Sequence, residues 1–175
     1  ESNAEPLMVS VRLKREIVKE PLESWRPIAV LGKFIYKKYQ NVSMEYDKLY
    51  TAAKKQGEKN SPFLIYTYTE NRMSFTGDLS NELLFTFPEK IIIVGREKGG
   101  EMKCSLRSAS LKLEPMLKKA LEGIDGYGGG HEMACGACVK IADWKKFQQQ
   151  LKAAYSEAAE KTAEIKKQEK QDNNQ

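Results

Sequence analysis

Three consecutive glycines followed by the chain's single histidine, in the stretch Gly126-Tyr127-Gly128-Gly129-Gly130-His131-Glu132, constrain the fold more than any other segment. Glycine has no side chain to bury and loses the most backbone freedom on folding, so a run of it is costly unless the exposed peptide groups are put to use. Ahead of a helix, such a run lets N–H groups approach an anion closely, and the anion expected is a phosphate. The sequence therefore predicts a glycine turn leading into a short helix from His131. There the helix dipole and the imidazole would both favour negative charge.

The rest of the chain has room for one ordinary domain with flanking elements. Its 175 residues are 41% apolar, enough for a real core. The first residue is Glu1 rather than Met, and residues 1–6 lack the basic start and apolar run of a signal peptide, so a processed or incomplete chain is expected. No apolar stretch approaches the roughly 20 residues needed to span a bilayer. Three irregularly spaced cysteines do not make a disulfide framework. A cytoplasmic protein with no membrane partner is expected. A net charge of +5 and a pI near 9.0 favour polyanions only modestly.

Residues 7–14 alternate Leu7, Val9, Val11 and Leu13 with more polar positions, which is strand periodicity. Pro21 and Pro27 interrupt, and residues 43–55 read as a helix with Met44, Leu49 and Ala52 or Ala53 available for burial. Six lysines between Lys33 and Lys55 read as a solvated face or a stripe facing a polyanion. Residues 63–69 form a strand by composition, and Leu79, Leu83, Leu84 and Phe87 recur at helical spacing. Residues 90–94 read as a strand buried on both faces. Lys98-Gly99-Gly100 then turns the chain back through a strand from Met102 to Arg107. A helix through Leu113, Met116, Leu117 and Leu121 precedes the glycines, and a strand through Val139 and Ile141 with a helix from about Asp143 follows them. Interleaved strands and helices predict an α/β or α+β layered domain, a mixed sheet flanked by helices. From residue 152 the chain is rich in helix formers without an apolar stripe, a solvated helix that ends in disorder at 171–175.

Strand alternation puts Met102, Cys104 and Leu106 on one face and Lys103, Ser105 and Arg107 on the other. If the second face borders the glycines, Arg107 could grip a phosphate with its planar fork, with Ser105 and Lys103 adding a hydroxyl and a point charge. Cys135 and Cys138, with His131 and Cys104, also invite a zinc or redox reading. A strand through these residues need not make the two sulfurs converge, so close packing of small residues between helix and sheet beside Gly136 is the better account. The five aspartates, at 47, 78, 125, 143 and 172, form no tight cluster with histidine that could hold two divalent metals.

The segment Gly128-Gly129-Gly130-His131-Glu132-Met133-Ala134-Cys135-Gly136 resembles the GGGHxxAAG signature of the DHH-associated domain, with Cys135 in place of Ala. That domain is the C-terminal half of DHH-family phosphoesterases. Residues 74–79 with the helix that follows, and residues 104–108, look like the corresponding blocks of archaeal RecJ-like single-strand exonucleases. The resemblance implies a DHH-associated domain over 61–152 and the end of a catalytic domain with its linker over 1–60. A polar tail would occupy 153–175. It also implies that Gly128, Gly129, Gly130, His131 and Arg107 hold the phosphate and sugar of single-stranded DNA, RNA or a short oligonucleotide.

By the same resemblance, Mn2+ or Mg2+ would sit in an N-terminal DHH domain that partners this one, and this chain itself would carry neither cofactor nor catalytic residue. Replication and repair proteins are further candidate partners. Two alternatives are a self-contained, non-catalytic nucleic-acid binder and a phosphodiesterase of cyclic dinucleotides or very short oligomers. The related domain of alanyl-tRNA synthetases is disfavoured by the histidine after the glycines.

Overall fold

The computed structural model describes residues 29–69 and 73–172, with side chains over 36–69 and 73–160. The strand expected over 7–14, the prolines at 21 and 27, and the last residues of the tail, 173–175, lie outside the described residues. In chain order the elements are α1 (Ala29–Gly57), β1 (Phe63–Thr69), α2 (Thr76–Thr86), β2 (Ile91–Lys98), β3 (Glu101–Arg107), α3 (Leu113–Ala120), β4 (Gly126–His131) and β5 (Ala134–Lys140). A 3-10 turn (Ile141–Asp143) then leads into α4 (Trp144–Asp172).

The five strands form one mixed sheet in the order β1-β2-β3-β5-β4. β1 and β2 are parallel, and the remaining pairs are antiparallel. A parallel pair needs a crossover, which α2 supplies. The β2–β3 hairpin needs only Gly99 and Gly100, whose φ values of 62° and 76° suit the two-residue turn that matches strand twist.

Two cores lie on opposite faces of this sheet. On one, Leu64, Tyr68, Ile92 and Val94 pack against Tyr46 and Ala53 of α1 and Leu79 and Leu83 of α2. On the other, Met102, Cys104, Leu106, Cys135 and Val139 pack against Leu113, Met116 and Leu117 of α3 and Phe147 and Leu151 of α4. β2 lies between β1 and β3, so residues 91–95 are buried on both sides, and the continuous apolar run is its direct trace. α1 covers β1, and α2 covers β2 and part of β3. Among the described residues no helix reaches β4 and β5 from that side, so half of one sheet face stays open.

The glycine stretch departs from the expectation. It is neither a turn nor a helix entry but the edge strand β4, joined to β5 by the two-residue turn at Glu132 and Met133. The cause is the closeness of β5. A Cβ on Gly128 would lie 2.8 Å from the Gly136 carbonyl oxygen, and one on Gly130, where φ is 152°, would collide with that of Ala134. The glycines let two strands approach, and no helix dipole stands behind His131. Smaller differences have equally specific causes. Met44 is exposed while Tyr46 is buried, because the Tyr46 hydroxyl donates to Glu82 Oε2 of α2 at 2.6 Å. Ile141 belongs to the 3-10 turn, its N–H held by the Gly100 carbonyl at 3.0 Å.

Candidate functional site

Strand register decides what the open half-face presents. Side chains alternate along each strand, so residues paired across neighbouring strands share a face. Three cross-strand rows result. Arg107, Ala134 and His131 form one row. Ser105, Gly136 and Gly129 form the next. Lys103, Cys138 and Tyr127 form the third. The middle row is a floor bearing a single hydroxyl, lined on one side by Arg107 and His131 and on the other by Lys103 and Tyr127. Arg107 and His131 are two strands apart, roughly 10 Å by ordinary strand spacing.

The three glycines of the run are not equivalent. Gly128 and Gly130 pair with Ala137 and Cys135 on the core face, where β5 crowds any added Cβ. Gly129 pairs with Gly136 on the open face, and a Cβ there would meet nothing within 4 Å. A Cβ on Gly136 would meet only the Cys104 carbonyl oxygen, at 3.7 Å. Packing therefore accounts for Gly128 and Gly130, whereas Gly129 and Gly136 leave bare backbone facing solvent.

Arg107 is held rather than loose. Its Nε donates to Asn81 Oδ1 of α2 at 2.8 Å, and its Nη1 donates to the carbonyls of Leu106 at 2.9 Å and Cys135 at 3.3 Å. Burial pushes its pKa down, yet a guanidinium stays charged. Nη2 donates to none of the described residues, so one edge of a fixed fork remains for a ligand. The β4–β5 turn beside it is also tied down. The Met133 carbonyl accepts from Ser108 N–H at 3.1 Å, and the Glu132 carbonyl accepts from Leu113 N–H at 2.6 Å.

Charge on the strands of the open side is mostly positive. Strand alternation gives that side Arg96, Lys98, Lys103, Arg107 and Lys140 from β2, β3 and β5, with Glu101 as the one strand carboxylate there. Lys140 lies 3.0 Å and Lys103 3.8 Å from Glu101, which hold its carboxyl below the usual range chiefly through the Lys140 hydrogen bond. Arg96 Nε is buried without a hydrogen-bond partner. The lysines at 37, 38, 48, 54 and 55 are exposed on α1, the helix that covers β1.

The residues singled out in the sequence thus meet on one surface, except that Gly128 and Gly130 turn to the core. Asn81 and Tyr127 belong to the same surface and were not among the sequence candidates. Period-two alternation of Tyr127, Gly129 and His131 is a signal for Tyr127, visible once the run is read as a strand. Asn81 leaves no comparable trace.

Cys135 and Cys138 lie on opposite faces of β5, Cys135 in the core and Cys138 toward Glu101, to whose Oε2 it donates at 3.4 Å. The small residues here serve strand-to-strand approach and an open floor. Gly136 packs under no helix, contrary to the helix-to-sheet packing expected of it. Among the described residues no group of three or more His, Cys, Asp or Glu is placed to hold a metal ion. No described helix is long and apolar enough to cross a membrane.

Residues 60–160, more than half the chain, match the family model of the DHHA1 domain. No curated protein matches the sequence. Among solved structures, RecJ from Thermus thermophilus in complex with Mg2+ superposes with a TM-score of 0.53 at 17% identity, over 71% of this chain and 20% of that one. Exonuclease RecJ bound to manganese superposes with a TM-score of 0.54 at 16% identity, over 70% of this chain and 31% of that one. The pGpG-specific phosphodiesterase PggH from Vibrio cholerae gives a TM-score of 0.44 at 16% identity, over 63% of this chain and 40% of that one. The chain spans between a fifth and two fifths of the lengths of these three proteins.

Proposed function

We propose, from the premise that this chain belongs to the DHHA1 domain family, that it is the substrate-holding domain of a DHH-type phosphoesterase and binds the phosphate backbone of single-stranded nucleic acid on its open half-face. The observation that carries the reading is the pairing of Gly129 with Gly136 beside Ser105. It forms a floor without packing reasons for glycine, bordered by Arg107 and His131. Bare backbone of this kind admits a bulky anion closely, and the fixed Arg107 fork, the Ser105 hydroxyl and Lys103 offer donors to its oxygens. Among the described residues β4 is an edge strand, so N–H groups on its outer side pair with none of them and would add donors.

Catalytic metal, Mn2+ or Mg2+, belongs in this reading to an N-terminal DHH domain, with residues 1–60 as the end of that domain and the linker into this one. Single-stranded DNA and RNA share the backbone chemistry that this surface would hold. In such an enzyme His131 and Arg107 would position a phosphate and offset the charge that builds on its oxygens during hydrolysis. Replication or repair proteins would be partners of the complete enzyme.

Fluorescence anisotropy of labelled single-stranded oligonucleotides of increasing length tests this. Affinity is expected to rise with length, to fall steeply with salt, and to drop at least tenfold in Arg107→Lys and His131→Ala. Binding that is insensitive to salt and to both substitutions would defeat the reading.

A further inference from the structure

Tyr127 is the most exposed large hydrophobic side chain among the described residues, at 70%, although a bare tyrosine on an edge strand contributes little to this fold. It shares the open face with Gly129 and His131, and its cross-strand partner is Cys138, beside Lys103. The neighbouring rows carry cations and the glycine floor. An exposed aromatic ring beside a phosphate-compatible surface is the arrangement on which unpaired bases stack.

We propose that Tyr127 is a nucleobase platform, and that the site therefore recognises a nucleotide chain rather than an isolated phosphate. The inference rests on the backbone-binding reading above. Tyr127 and His131 are four residues apart on β4, about 13 Å along an extended strand. That is farther than a phosphate lies from its own base. With one phosphate between Arg107 and His131, the base on Tyr127 belongs to the adjoining nucleotide, and Lys103 lies where the next phosphate passes. The smallest ligand that engages both ends is thus a dinucleotide.

The test compares an octathymidylate with an octamer of the same phosphate backbone in which every residue is abasic, titrated calorimetrically into the full chain. The wild-type protein is expected to bind the octathymidylate about tenfold or more tighter than the abasic chain, the value of one base–aromatic stack. Tyr127→Ala should lose that preference and bind both ligands like the wild type binds the abasic one. Tyr127→Trp should keep the preference, and unchanged thermal unfolding of both variants checks that the fold is intact. Equal binding of the two ligands by the wild type, or an unaltered preference in Tyr127→Ala, overturns the platform while leaving backbone binding standing. Failure of both ligands to bind overturns the backbone reading and the platform with it.

Discussion

Gly129 on β4 faces Gly136 on β5 across an antiparallel pair, and a Cβ on either would meet no atom closer than 3.7 Å. Two glycines opposite one another in a sheet are intrinsically destabilising, since neither contributes a cross-strand contact. The lost contact is offset by no packing gain on this face, so we assign it to close approach of a ligand.

The glycines should therefore separate by substitution. Gly128→Ala is expected to lose about 1–3 kcal/mol of stability, because its Cβ would press to within 2.8 Å of the Gly136 carbonyl oxygen. Gly129→Ala should unfold at nearly the wild-type temperature but bind single-stranded oligonucleotide at least tenfold more weakly. Parallel thermal melts and anisotropy titrations read both quantities.

Asn81 is expected to act through Arg107. Asn81→Ala removes the acceptor of Arg107 Nε and leaves that donor to solvent. Oligonucleotide affinity should fall several-fold while the salt dependence of binding keeps the wild-type slope, since no charge is lost. Arg107→Ala should lower both the affinity and the slope.

Much of this architecture is legible in the sequence. Residues 63–69, the Gly99-Gly100 turn and the alternating strand ending at Arg107 declare themselves, because each has a local cause: β-branched and aromatic residues, positive φ, and a period of two. The open face could also be assembled in part, since Lys103, Ser105 and Arg107 alternate. The glycine strand could not be read in the same way. Its structure depends on contact with β5, and a glycine run carries no side-chain periodicity from which a strand could be inferred. The role of Asn81 depends on α2 crossing β3, a tertiary fact without a local signature. Burial of Tyr46 is likewise set by Glu82, 36 residues away.

That Tyr46–Glu82 hydrogen bond gives a stability prediction independent of the site. Tyr46→Phe removes a hydroxyl that donates to a buried carboxylate at 2.6 Å. The loss expected is about 1–3 kcal/mol in denaturant unfolding, with oligonucleotide binding at low denaturant unchanged.

Burial pushes the Cys104 thiol up to about 12, from an ordinary value near 9. The folded protein therefore keeps this proton where the unfolded chain releases it. The stability contribution is complete below about pH 9 and is lost as pH rises toward 12. Cys104→Ser shares the volume without titrating, so the difference in stability between it and the wild type should shrink between pH 9 and pH 11. Cys135 and Cys138 are raised as well, chiefly by burial, so native protein at pH 8 should react slowly with a thiol-specific disulfide reagent. Rapid labelling of any of the three in the folded state would contradict these environments.

The central claim is that single-stranded nucleic acid lies on the open half-face formed by β3, β5 and β4. Amide chemical-shift mapping of the isotope-labelled chain, titrated with an unlabelled single-stranded oligonucleotide, addresses it most directly. Shifts are expected to concentrate at Asn81, at Lys103 to Arg107 and at Tyr127 to His131, with α3 and the first turns of α4 unmoved. Shifts confined to α3 and α4, or none at saturating oligonucleotide, would contradict it.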